Sequence, residues 1–138
     1  MPPEVLNMAM RWLHISSVAI LVGGFIFGRL VMDASAGTIP MDSREPCAQR
    51  AAALFRPLAI GAMTALLVSG IYNVLYNPGH TVKYHILLTV KLLLVAHIFS
   101  TAILVTKPSH PRRRRLMTGA AISGLLVIAI SAYLRRNY

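Results

Sequence analysis

Acidic side chains are almost missing from this chain: 4 Asp or Glu stand against 14 Lys or Arg in 138 residues. Charge of either sign is scarce as well, at 13% of residues, while 56% are hydrophobic. Soluble chains carry roughly a quarter charged residues, so this composition leaves too little polar surface to cover a water-soluble domain. Cysteine occurs once, as Cys47, which excludes an internal disulfide. It reads as an incidental loop thiol, with palmitoylation or redox chemistry as the other uses open to it. Also lacking is a polar stripe along the long apolar blocks, which a soluble four-helix bundle would need. The first block has no basic start, short apolar run and small-residue cut site, so a cleavable signal peptide is not expected. No internal repeat or low-complexity segment is visible.

What is present is a set of four apolar blocks, each near the roughly 20 residues that carry a helix across the hydrocarbon core. They cover residues 8–32, 52–76, 83–106 and 116–134. The expected fold is therefore all-α: an integral membrane four-helix bundle of one domain, up-down-up-down, with both termini on the outer side. The orientation comes from the basic residues. Arg44, Arg50, Lys107 and the run at 112–115 fall in the first and third loops, with Arg29 and Arg56 at adjoining helix ends. The opposite side has Arg11, Lys83, Arg135 and Arg136. The positive-inside rule then puts the first and third loops in the cytoplasm and, in a bacterial inner membrane, the termini in the periplasm. A net charge of +10 is thus a topology or anionic-lipid signal beside a membrane span, and no nucleic-acid partner is expected.

Turn residues mark the connections. The segment 33–50 contains Gly37, Pro40 and Pro46 and is expected to be irregular. Asn77-Pro78-Gly79 should make a short break that holds the second and third helices together as antiparallel neighbours. Lys107-Pro108-Ser109-His110-Pro111 should end the third helix. Pro57 is expected in the first turn of the second, where a missing N–H costs nothing. His80 and His110 lie in these connections and are given no role.

Helical spacing puts His14, Ser17, Leu21, Gly24, Phe25 and Gly28 on one face of the first helix. Ala59, Met63, Leu66, Gly70 and Asn73 share a face of the second, and Gly119/Ser123 and Ala120/Gly124 form small-xxx-small pairs on the fourth. On the third, at about 100° per residue, His85, Thr89, Ala96 and Ser100 form one stripe. His97 sits at its margin and Lys91 on the other side. Ionisable groups at membrane depth are costly and are usually paired, ligating or facing water. His14 and His85 lie at similar depth, roughly 6–9 Å apart along the axis if the helices begin level. Two imidazoles so placed can sandwich a haem iron; each can equally serve as a hydrogen-bonding residue within the bundle. His97, about 18 Å below His85, suits a second site or a neighbour's hydrogen bond. Lys91 and Arg29 suit carboxylates, either haem propionates or a substrate, and can otherwise snorkel to headgroups. Lys91, directed away from the His85 stripe, suggests a subunit interface or a second cavity, and a homo-oligomer or a place in a larger membrane complex.

The run Trp12-Leu13-His14-Ile15, followed by Phe25, Phe27, Arg29 and Leu30, resembles the opening helix of the HemJ-type protoporphyrinogen oxidases. The stretch from Tyr84 to His97 resembles that family's third span, with one histidine near its start and another near its middle. The same helix is similar to the copper-resistance CopD domain in its Leu-Leu-x-x-Lys-Leu run, and Arg56 with Val68-Ser69-Gly70-Ile71-Tyr72 resembles both. The HemJ-type resemblance implies haem b with His14 and His85 as axial ligands, and electron transfer to or from a quinone or a porphyrinogen. The CopD resemblance implies copper handling. Met8 and Met10 beside His14 would then supply soft ligands for Cu(I) at the outer end of the first helix.

Overall fold

The computed structural model describes residues 3–76, 81–107 and 112–137. It contains four α-helices and, among the described residues, no strand: α1 Pro3–Thr38, α2 Met41–Leu75, α3 Val82–Val105 and α4 Arg113–Asn137. The breaks expected at Asn77–Gly79 and across 108–111, with His80 and His110, lie outside the described residues. All four helices are long and apolar enough to span a membrane.

α1 and α2 extend well past the expected spans. At 1.5 Å per residue α1 is about 54 Å long, against a hydrocarbon core of about 30 Å. The segment 33–50 is helical except for a tight corner at Ile39-Pro40, not the irregular loop expected from its turn residues. Its alanines favour helix, and its charged residues only require water, which the chain reaches beyond the bilayer. The corner is held by Arg44, whose Nε donates to Ile39 O at 2.8 Å and whose Nη2 donates to Ala36 O, covering carbonyls at the end of α1. Consequently Pro57 lies in the interior of α2, with Pro46 upstream of it, and not in a first turn. α3 opens on Thr81, whose hydroxyl accepts from Tyr84 N at 3.4 Å.

Contacts fix the helix directions. His14 early in α1 meets Ser69 late in α2, Arg29 late in α1 meets Thr118 early in α4, and Arg113 opening α4 meets Val105 closing α3. Neighbours therefore run antiparallel. α1 packs along both α2 and α4, and α3 along α4, whereas α2 and α3 touch only slightly. α2 and α3 run antiparallel as expected, but they touch only slightly and leave a gap between them.

The core is thin and draws on all four helices: the expected faces of α1, α2 and α4, together with Ile98 and Ala102 of α3. Leu21, Phe25, Ala59, Ala102 and Ala120 are almost completely buried. Close approach depends on small residues: a Cβ at Gly124 would stand 2.5 Å from Val22 Cγ2, and one at Gly24 would run into the Phe55 ring. The large side chains point outward instead. Trp12, Phe27, Leu54 and Leu93 are each more than 65% exposed. An apolar exterior on this scale far exceeds the few hundred Å² tolerated on a soluble monomer and suits contact with a lipid bilayer.

Candidate functional site

The gap between α2 and α3 opens into a cavity of about 350 Å³. All four helices line it, almost entirely with aliphatic side chains such as Leu21, Leu66, Val95 and Val127. Two ionisable groups interrupt that lining, His14 from α1 and Lys91 from α3. They lie within electrostatic reach of each other.

His14 is held by its neighbours. Its Nδ1 stands 2.9 Å from Ser69 Oγ. The single hydroxyl proton of Ser69 is directed at Ala65 O, 2.6 Å away, so Ser69 accepts from the imidazole. With the Ser69 proton directed at Ala65 O, the imidazole donates from Nδ1, which leaves the lone pair on Nε2. Gly70 lies beside the ring, where an added Cβ would make only an ordinary contact of 3.9 Å with His14 Cε1. Tyr72 donates from its hydroxyl to Asn7 Oδ1 at 2.7 Å, a second bond joining α2 to α1.

The other histidines are elsewhere. His85 is exposed on α3, with its ring edge-on to Tyr84 at 5.9 Å; it and His14 do not line a common cavity. The stripe of His85, Thr89, Ala96 and Ser100 is exposed, rotated by about 100° from the cavity face, and Lys91 points inward where the opposite was expected. The reason is local. Thr89 Oγ1 donates to His85 O at 2.9 Å and Ser100 Oγ to Ala96 O at 2.8 Å. Hydroxyls satisfied by their own helix can face lipid at little cost, so a stripe of small polar residues does not mark an interior face. His97 is exposed too, on the far side of α3 from the cavity, beside Gly119.

Met8 is 68% exposed and Met10 half-buried. Two positions apart on a helix they point in nearly opposite directions, so only Met10 shares a side with His14, one turn further on. Among the described residues no three His, Cys, Asp or Glu side chains gather as a metal site. Arg29 lies at the other end of the bundle, its Nε donating to Thr118 Oγ1 at 3.0 Å and its Nη1 paired with Asp33. Asp33 also reaches Arg114 Nη2 at 2.6 Å.

Sequence reasoning missed Ser69 as the partner of His14 and Lys91 as its cavity neighbour. Ser69 does fall on the small-residue face of α2, seven residues after the buried Ala62, and that spacing was the available signal. Together, fold and site define a class: a four-helix chain built to sit in a membrane, with one histidine and one lysine facing an apolar chamber. No family model, curated protein or solved structure matches the chain.

Proposed function

We propose that this chain is a haem b-binding integral membrane protein that passes electrons to or from a quinone or a porphyrinogen. The observation that carries this reading is the His14 imidazole, fixed through Nδ1 by Ser69 with its Nε2 lone pair left for a ligand beside an apolar chamber. Of the residues present, His14 would hold the iron through a ring nitrogen and Lys91 would pair with a carboxylate. Haem, when bound, supplies one-electron chemistry, and the protein sets its potential through ligand identity and burial. His14 ligates and orients; Ser69 keeps the imidazole in one tautomer; Lys91 neutralises a propionate or an acidic substrate; the aliphatic walls exclude water.

A chamber of this size is at the small end of ligand pockets, which run from about 300 to 1,000 Å³. Its open side between α2 and α3 lets a flat ligand extend toward lipid. This favours His14 as the protein ligand, with His85 outside the site. The resemblance to HemJ-type oxidases agrees with haem at this end of the bundle. Copper handling remains the second reading, supported by Met10 and His14 one turn apart on α1. The end of the bundle that carries Arg29, Arg44, Lys107 and the arginine run at 112–115 would face the cytoplasm of a bacterial inner membrane, and the termini its outer side.

The deciding experiment is the visible spectrum of protein purified after expression with ample haem. A Soret band with a reduced α band, both lost in His14→Ala, is the expected result. Colourless protein that retains copper would favour the second reading, and colourless protein without metal would end both.

A further inference from the structure

At the opposite end from the chamber lies a second basin, of about 700 Å³, bordered by Arg29, Arg112, Arg114, Arg115 and His97. We infer that this basin binds the phosphate of an anionic phospholipid from the leaflet on that side.

The charge arrangement comes first. Four guanidinium groups border the basin, and among the described residues that line it there is no carboxylate. Asp33 stands beside them and offsets one charge while bridging Arg29 to Arg114. Thr118 holds the Arg29 Nε at 3.0 Å. Arg29 and Arg114 are thus held in place by Thr118 and Asp33 before any ligand arrives, and the lining they share with Arg112 and Arg115 is strongly cationic. Planar guanidinium donors match phosphate oxygens in paired hydrogen bonds.

Depth and shape select a lipid. Arg112, Arg115, Leu116 and Gly119 recur at helical spacing on one side of α4, so the basin follows a single face of that helix down from its start. Its floor is His97, eight residues before the end of α3, and Gly119, six after the start of α4. Both are about 9–12 Å below the helix ends, where headgroups give way to hydrocarbon. Below the floor the same helix faces continue as exposed Leu93, Ile122 and Leu126. A polar basin leading into an apolar track suits a molecule with a phosphate head and an acyl tail. A free phosphate would use only the first half.

The test uses the whole chain purified in a neutral detergent. Dioleoyl phosphatidylglycerol is titrated in, with dioleoyl phosphatidylcholine as control. Bound lipid is counted by native mass spectrometry, and the thermal midpoint is followed in parallel. Expected is at least tenfold preferential retention of phosphatidylglycerol with a rise in midpoint. Both should fall sharply in the Arg112→Gln/Arg115→Gln double variant and persist in Arg50→Gln/Lys107→Gln, which loses equal charge elsewhere. Arg112→Lys/Arg115→Lys keeps the charge and should still weaken retention severalfold; it also serves if the glutamine variant does not fold. Equal losses in the two glutamine variants, or no preference over phosphatidylcholine, would overturn the site. If sn-glycerol-1-phosphate alone displaces the lipid at equal concentration, the basin is a soluble-phosphate site and the lipid assignment falls.

Discussion

Lys91 on α3 and His14 on α1 face one apolar chamber from different helices. Their pairing separates the roles of the histidines by mutation. Lys91→Met keeps length and apolar volume but removes the cation, and should weaken retention of a carboxylate-bearing ligand about tenfold, or roughly 1.4 kcal/mol. His85→Ala, on the exposed flank of α3, should leave the absorption spectrum unchanged. Titration of haem into the purified variants measures both. Loss of the spectrum in His85→Ala with normal binding in Lys91→Met would reverse the assignment.

Ser69→Ala tests the hydrogen bond behind His14. The imidazole would lose its partner at Nδ1 and become free to turn or change tautomer. Removing the outer partner of a ligating histidine typically lowers affinity 10- to 100-fold, and the spectrum should broaden as the ring loses its fixed orientation. Ser69→Thr keeps the hydroxyl and should restore most of the affinity. Indifference of the spectrum to Ser69→Ala would remove His14 from the ligand set or Ser69 from its support.

Much of the fold was legible before the structure because bilayer thickness imposes a length on every span. The inward faces of α1, α2 and α4 were readable from small residues at helical spacing: Ser17, Leu21 and Phe25 are buried as that pattern implies, and so are Ala59 and Ala120. α3 was misread because Thr89 and Ser100 bond back to their own helix and need no interior partner. With that rotation, Lys91 faces the chamber and His85 the exterior. The polar segment after α1 was misread for a related reason. Gly37, Pro40 and Pro46 are turn residues in general, yet only Pro40 stands at the corner. The helices simply continue on either side of it. Pairing between Ser69 and His14 depends on how α1 and α2 rotate together, which single-helix periodicity does not contain.

The glycines offer a graded test of packing. Alanine at Gly24 would collide with the Phe55 ring, which packs edge-to-face on Phe25 at 6.4 Å. Alanine at Gly70 would meet His14 only at ordinary contact distance. Gly24→Ala should therefore cost about 1–3 kcal/mol, the usual cost of overpacking, and Gly70→Ala should be close to neutral for folding. Unfolding in mixed micelles, followed by loss of helical signal, distinguishes them. Equal sensitivity at both sites would mean that α1 and α2 pack in another register.

Arg113 should matter more for stability than its exposed neighbours in the arginine run. It is 3% exposed, donates from Nε to Val105 O at 3.2 Å and from Nη2 to Lys107 O at 3.0 Å, and pairs with Glu45 at 3.5 Å. It therefore covers carbonyls at the end of α3 and ties them to α2. Arg113→Met would leave those acceptors short of donors, with a loss of about 1–3 kcal/mol, whereas Arg115→Met should change little in the absence of lipid. Melting of the two variants in neutral detergent is the comparison, and equal midpoints would show that the buried guanidinium does not cap α3.

Cys47 supplies a test of orientation, because it is the sole thiol of the chain and is exposed on the polar first turns of α2. Those turns stand at the same end as Arg29, Arg44 and Arg114, where the positive-inside rule predicts cytoplasm. A membrane-impermeant maleimide should leave Cys47 unmodified in intact bacterial cells stripped of their outer membrane and modify it in inverted vesicles. The reciprocal probe is Val5→Cys in a Cys47→Ser background. Val5 is 39% exposed near the start of α1, at the far end of the bundle, so this variant should label from outside and not from within. Two sites with opposite accessibility also guard against a buried or oxidised thiol passing for a protected one. If Cys47 labels in intact cells while Val5→Cys does not, the chain is inserted the other way up. The His14 chamber would then open toward the cytoplasmic leaflet, and any ligand it takes would have to be supplied from that side.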